Sequence, residues 1–280
     1  MGIRAEDIKI LREKTGAGMM DCKKALVEAK GDTAAAEKLI KEWGLAGVEK
    51  RSGRATNEGR IFIKDAGQKV AMVEIACETD FVARNADFIK AGNSMAATVC
   101  EKEMTASNES LEATIRDIAS VIKENIALKR VAFMKAAPGE ILHTYVHGEG
   151  TVGVVVKVKT DKPADPSIQS FVHDVALHIA AFRPGFLDRS KVSADYLAEQ
   201  QEIFQKQIEG DEKMKGKPAN VLEGIIKGKV NKLMSEICLL DQGFVKDEKQ
   251  SVSKVMANVA KSAGASLSIA EFLVFRVGEA

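Results

Sequence analysis

The side chains best suited to metal or nucleophile chemistry in this 280-residue chain are four histidines and four cysteines, and their spacing argues against both uses. His143 and His147 lie on a stretch with strand character, where side chains repeat face every two residues, so both point to one side. Two histidines could begin a metal site, but Glu140 and Glu149 are only turn-side candidates for a third ligand. His173 and His178 are five apart on a helical stretch and point to different faces. Cys22, Cys77, Cys100 and Cys238 are dispersed without a CxxC pair, which fits a reducing cytosol better than a zinc site or a disulfide framework. Neither a nucleophile elbow, a phosphate-binding loop nor a zinc-helix motif is found; Gly148-Glu149-Gly150 opens a strand rather than a helix, so it cannot present helix N–H groups to a phosphate. The expectation is a binding protein rather than an enzyme, with no metal and no cofactor.

Charge narrows the partners. Lys and Arg total 41 against 40 for Asp and Glu, so no basic excess is available to hold a nucleic-acid backbone. Apolar residues make up 45% and charged residues 29%, the balance of a soluble globular chain. No apolar run reaches the ~18 residues that a membrane span needs. The opening residues carry acids where a signal peptide has its apolar stretch, and Met1-Gly2 lacks the Ser or Thr that accompanies myristoylation. A cytoplasmic protein is expected.

The elements that must position any site follow from periodicity. Residues 1–50 read as three short helices: Ile8 and Leu11 share a side, Gly16 and Gly18 break the run, Ala25 and Leu26 follow, and Asp32 caps a third helix carrying Ala36, Leu39, Ile40 and Trp43. Such a bundle resembles a ubiquitin-associated module; it barely buries a core of its own, which suits docking. Residues 51–60 are polar and basic and read as a linker. Residues 61–140 form the first half of an α+β core. A hairpin turns at Asp65-Ala66-Gly67, and two helices follow, the second striped by Leu111, Ile115, Ile118, Ile122 and Ile126. The second half begins at 141–190 with a hairpin about Gly148-Glu149-Gly150 and a helix after Pro166 that buries Ile168, Phe171, Val172, Val175, Ile179 and Phe182. Residues 191–234 read as an antiparallel helical hairpin, a coiled-coil arm broken at Glu209 to Pro218. The core resumes at 235–280 with a helix through Val252, Val255, Met256 and Val259 and a last strand, Phe272 to Val277. The fold class is α+β with antiparallel sheets, and hairpin plus helix at 60–126 echoes hairpin plus helix at 141–182.

Two segments resemble the signatures of the bacterial elongation factor Ts family. One is Leu11-Arg12-Glu13-Lys14-Thr15-Gly16-Ala17-Gly18-Met19-Met20-Asp21-Cys22-Lys23-Lys24-Ala25-Leu26; the other is Glu78-Thr79-Asp80-Phe81-Val82-Ala83-Arg84-Asn85. Looser agreement at Tyr145-x-His147-Gly148, His178-Ile179-Ala180-Ala181 and Phe275-x-Val277-Gly278-Glu279 extends it over essentially the whole chain. The resemblance implies a nucleotide exchange factor that binds elongation factor Tu, a GTPase, and promotes GDP release. It assigns Thr79, Asp80, Phe81 and Val82 to a loop that dislodges Mg²⁺ by wedging, and Arg12, Met19, Met20, Lys23 and His147 to partner contact. It also implies a further C-terminal helix beyond Glu279, whereas this sequence ends at Ala280.

The residues themselves leave alternatives beside these roles. Thr79-Asp80 can equally cap a helix starting near Val82, with Phe81 as its apolar staple. Met19 and Met20, read as a turn between helices, cannot both face so small a core, so one is exposed for contact unless both pack under the loop. Arg12 follows a core leucine and faces solvent. His147 ends a strand, where a surface histidine needs no further role, and Ile122 falls in a buried stripe and reads as core. The arm's seam either closes within one chain or pairs two chains as a homodimer or a 2:2 complex. An interaction scaffold recruiting some other helix is the competing class.

Overall fold

The computed structural model describes residues 3–211, Met214 and 216–279. Met1-Gly2, the residues Glu212, Lys213 and Lys215 of the polar break, and Ala280 lie outside the described residues. The chain divides into two compact units, Met1–Met134 with Val146–Gly153 and Phe275–Ala280, and Lys135–Tyr145 with Val154–Val274.

The first unit opens with α1 (Ala5–Thr15), α2 (Met19–Glu28) and α3 (Thr33–Arg51). Gly16 ends α1 in the left-handed conformation, φ 68°, its N–H bonded to the Arg12 carbonyl at 2.8 Å, a stop that other residues reach only with strain. Asp32 caps α3 by accepting from the N–H groups of Ala34 and Ala35 at 2.9 and 3.1 Å. Leu11, Cys22, Ala25, Leu26 and Ala36 are fully buried among the three helices, with Ile8, Leu39, Ile40 and Trp43 around them. Helix α3 reaches Arg51, and strand β1 begins at Glu58, inside the stretch that its polarity reads as linker.

The reason is packing against α6 (Glu109–Ile122). Gly44 lies so close to that helix that a Cβ there would stand 2.8 Å from the Ser120 Cβ, and the Arg51 guanidinium donates to the Ala119 carbonyl at 3.1 Å. The three-helix bundle therefore has a second buried side.

Strands β1 (Glu58–Asp65), β2 (Lys69–Cys77) and β3 (Ala127–Lys135) form a sheet in the order β1-β2-β3. β1 and β2 are antiparallel, in register from Glu58↔Cys77 to Asp65↔Val70. The near-continuous apolar run Val70 to Cys77 is buried along its whole length, as expected of a central strand covered on both faces. α5 (Ala86–Glu101) packs on this sheet; the Phe62 ring meets Phe88 at 5.8 Å and lies against Gly92, where any Cβ would clash at 2.2 Å. Glu74 in the middle of β2 is 1% exposed and accepts from the Arg130 Nε of β3 at 2.5 Å, while the Gly278 N–H reaches its other oxygen at 3.3 Å. A buried carboxylate so paired is tolerated; one stripped of its cation costs several kcal/mol. α6 ends at Ile122 because Lys123 turns left-handed, φ 66°, so Ile126 is buried in the connection to β3 rather than in the helical stripe.

The second unit contains most of β4 (Glu140–His147), β5 (Val152–Thr160) and β8 (Leu267–Arg276), which pair in the order β4-β5-β8; Val146–Gly153 and the residues from Phe275 belong to the first unit. α7 (Pro166–Phe182) starts at a capping Asp165 with proline at the first turn, where its missing N–H is no loss. It buries Ile168, Phe171, Val172, Val175 and Ile179, but Phe182 is 42% exposed. α8 (Ala194–Glu209) and α9 (Ala219–Ile237) form the arm. At its base Val192, Met234 and Cys238 are buried with Phe186, Tyr196 and Leu197; farther out Ile203 and Val221 are exposed. A short pair, β6 (Gly243–Phe244) and β7 (Asp247–Ser251), and α10 (Val252–Ala263) complete the unit. The fold is α+β, with an N-terminal helical bundle consistent with a ubiquitin-associated-like module.

Candidate functional site

At the end of β2 the chain leaves the sheet through Glu78 and Thr79 into the four-residue helix α4 (Asp80–Ala83). Thr79 is its N-cap, the hydroxyl oxygen accepting from the Val82 N–H at 3.4 Å. Val82 and Ala83 turn inward against the first-unit core. Phe81 turns outward and is 82% exposed, the most exposed large apolar side chain among the described residues. Capping and exposure thus occur together, and a ring so exposed is not an apolar staple of α4. An aromatic ring held in water forgoes roughly 1.5–3 kcal/mol of burial, so this turn keeps a large apolar surface uncovered in the free protein.

The turn is fixed from behind by the segment after α6. One Glu124 oxygen accepts from the backbone N–H groups of both Glu78 and Thr79, each at 3.1 Å, and the other accepts from the Thr79 hydroxyl at 2.7 Å. Glu78 reciprocates, accepting from the Asn125 N–H at 2.6 Å and from Arg54 at 3.4 Å. Those bonds, the Asn125 N–H first and then Arg54, hold the Glu78 carboxyl below the usual carboxylate range. The Asn125 amide donates to the carbonyls of Ser52 and Arg54 at 3.1 and 2.6 Å. Beneath the turn, burial and then the Glu124 charge push the Cys77 thiol up to about 12, so it is a neutral packing group that donates to the Thr79 carbonyl at 3.2 Å. No motif marked Glu124 or Asn125 in the sequence, since their work is to accept from and donate to backbone.

The five other sequence-derived contact residues belong to the same unit. His147 is exposed at the end of β4, and the next turn carries Glu149, which pairs with Arg84 at 2.9 Å; Arg84 also lies 3.9 Å from Asp80. The β4–β5 turn is thereby tied to the end of α4. On the helical bundle, Arg12 and Lys23 are exposed, and Met19 and Met20 are 59% and 75% exposed. The two methionines open α2 behind the N-capping Gly18 rather than forming a turn, and both face out because Leu11, Cys22 and Leu26 already fill the small core. Asp21, beside them, pairs with Lys123, the residue before Glu124. Ile122 packs against the core.

The histidines do different work. His143 meets His173 of α7, Nε2 to Nδ1 at 3.1 Å, with the rings edge-on at 5.3 Å. No cluster of three or more His, Cys, Asp or Glu among the described residues could hold a metal ion. His178 is buried between Phe182 and Phe244, with Nε2 2.8 Å from the Gln242 side-chain oxygen, and burial holds its pKa below the usual value. A cleft of about 660 Å³ lies between the helical bundle and α6, lined by Trp43, Lys41, Arg51, Asp117 and Lys123. No helix of the described residues is long and apolar enough to cross a membrane.

Comparison with known proteins places these features in a family. Residues 78–279 match the family model described as elongation factor TS, a match that starts at the capped turn. The elongation factor Ts of Treponema denticola is 47% identical over 281 residues, covering 99% of each chain. That of Treponema pallidum is 43% identical over 292 residues, again 99% of each. That of Borrelia hermsii is 42% identical over 282 residues, 99% of this chain and 100% of its own.

Proposed function

Because the chain belongs to the elongation factor Ts family, we propose that it binds elongation factor Tu carrying GDP and uses the Phe81 turn to open the Mg²⁺ and phosphate site. Its family role is guanine-nucleotide exchange, which replaces GDP by GTP without covalent chemistry, in the cytoplasm. The wedge reading is supported above all by one observation: a fully presented aromatic ring on a turn that is capped and clamped.

The energetics are those of linkage. Whatever factor GDP takes from the exchange factor's affinity, the exchange factor takes from GDP's. Each tenfold needs ~1.4 kcal/mol of contact made only in the open state. Burying Phe81 in a pocket that exists only after a partner helix has moved supplies roughly 1.5–3 kcal/mol of that kind. Thr79 and Val82 hold the ring's base, one by capping and one by packing inward. Asp80, paired with Arg84, adds a negative charge near a site that holds Mg²⁺. Arg12, Met19, Met20 and Lys23 offer a separate docking face whose methionines adapt to an apolar surface, and exposed His147 offers a third contact. The partly uncovered arm favours self-association through Ile203 and Val221, which sedimentation of the purified protein tests.

The deciding measurement is stopped-flow release of a fluorescent GDP from elongation factor Tu. Wild type should accelerate release strongly; a chain that binds the GTPase without accelerating release would instead be a scaffold.

A further inference from the structure

We propose that Glu124 is a positioning residue for exchange: its carboxylate holds the Glu78–Thr79 backbone so that Phe81 stands out from the first unit in the orientation the wedge requires. This rests on the wedge reading of Phe81 above. Three observations carry it. Glu124 makes three hydrogen bonds to the turn, two from backbone N–H groups and one from the Thr79 hydroxyl. Bonds to an ionised acceptor are roughly twice as strong as neutral ones, so these three donors bind the carboxylate more strongly than the Val82 N–H binds the capping hydroxyl. Finally, the neighbours of Glu124 tie the same short segment to the rest of the unit: Lys123 pairs with Asp21 beside the exposed methionines, and Asn125 holds the end of α3 through the Ser52 and Arg54 carbonyls. Residues 123–125 thus form one joint between the docking face and the exchange turn.

A ring that must enter a pocket benefits from being held beforehand, since ordering it on binding costs conformational entropy. Without the carboxylate, the Thr79 N–H and hydroxyl lose their shared acceptor group, and Phe81 samples orientations that collide with the partner. The expected loss is therefore in the maximal release rate and not in initial docking.

The experiment measures GDP release from elongation factor Tu against exchange-factor concentration for wild type, Glu124→Ala, Glu124→Gln, Phe81→Ala and the double variant Phe81→Ala/Glu124→Ala. Glu124→Ala should lower the maximal rate about tenfold, or ~1.4 kcal/mol, and leave the half-saturating concentration within about twofold. Glu124→Gln should recover most of the rate, because its amide oxygen accepts from the two N–H groups and its NH₂ can donate to the Thr79 hydroxyl. If Glu124 acts through Phe81, the double variant should be no slower than Phe81→Ala alone. A normal maximal rate for Glu124→Ala beside a slow Phe81→Ala overturns the positioning role and leaves the wedge standing. A normal rate for Phe81→Ala overturns both. Additive losses in the double variant also overturn the positioning role. Where Glu124→Ala does not fold, Thr79→Val removes the hydroxyl's bond to Glu124 together with its cap on the Val82 N–H at nearly constant shape, and should slow release at least about threefold without changing half-saturation.

Discussion

Phe81 has almost no neighbours in the free protein, and that separates its two measurable effects. Phe81→Ala removes a ring that is 82% exposed, so the melting temperature should stay within about a degree or two, since exposed substitutions stay within roughly ±0.5 kcal/mol. The same change should slow GDP release about thirty- to a hundredfold, the worth of ~2–3 kcal/mol lost only in the open complex. A variant that melts and exchanges like wild type would sink the wedge reading. Asp80→Ala should cost less than Phe81→Ala if the turn acts by shape, and as much if its charge near Mg²⁺ matters; the two release rates decide. The turn itself was readable from sequence, because Thr79-Asp80 is cap chemistry beside an aromatic. Its support was not: Glu124 acts 45 positions away through backbone N–H groups, and backbone donors leave no mark in a sequence. The partner of His143 was not legible for a related reason. Strand periodicity pairs it with His147, but its ring is met by His173, brought from α7 by tertiary packing that no local period encodes.

At the level of elements, the helices with capped ends and long apolar stripes were legible, and β3 was not. Its Ala127-Leu128-Lys129-Arg130 run breaks alternation because Arg130 enters the sheet to meet Glu74, so the pairing that stabilises the strand also hides its pattern. α7 carries a pH dependence. Burial holds the folded His178 below its ordinary 6.5, so its contribution is fully present above that value and is lost as pH falls below it, when the unfolded chain takes up the proton more readily. The urea midpoint should therefore drop between about pH 7 and pH 5, and the drop should shrink in His178→Phe, which keeps the 4.6 Å stack on Phe182 but cannot protonate. An unchanged pH profile would count against this assignment. The arm makes a different prediction. Removing 199–229 with a short Gly/Ser join should leave both melting and exchange near wild type. Removing 191–234 also takes out Val192 and Met234 from the packed base, and should destabilise the second unit by about 2–5 kcal/mol, the cost of emptying a buried apolar site. Loss of elongation factor Tu binding in the shorter deletion would make the arm a primary contact.

On the scale of the whole molecule, residues 1–50 are less separable than their composition suggests. The polar stretch after them looks like a tether, yet α3 lies against α6, Arg51 reaches the Ala119 carbonyl and Asp21 pairs with Lys123. Deleting 1–50 should weaken partner binding and also lower the melting temperature of the remaining chain by several degrees, at ~2–4 °C per kcal/mol, while the transition stays cooperative. A truncated chain with an unchanged melting temperature would show that the bundle is a tethered module after all. Chain order has a consequence of another kind. Glu74 and Arg130 sit early in the sequence, but the Arg276 carbonyl that Arg130 binds at 2.8 Å, the Gly278 N–H on Glu74 and the Phe275 ring 4.4 Å from the Arg130 guanidinium lie roughly 140 positions beyond Met134. At ~5–20 residues per second, a ribosome takes roughly 7–30 s to cover that gap. For that interval the first unit to emerge waits for its closing residues, with a buried-type ion pair still wet on one side. A product cut short anywhere in between keeps that flank open, and so displays its incompleteness to proteases and chaperones.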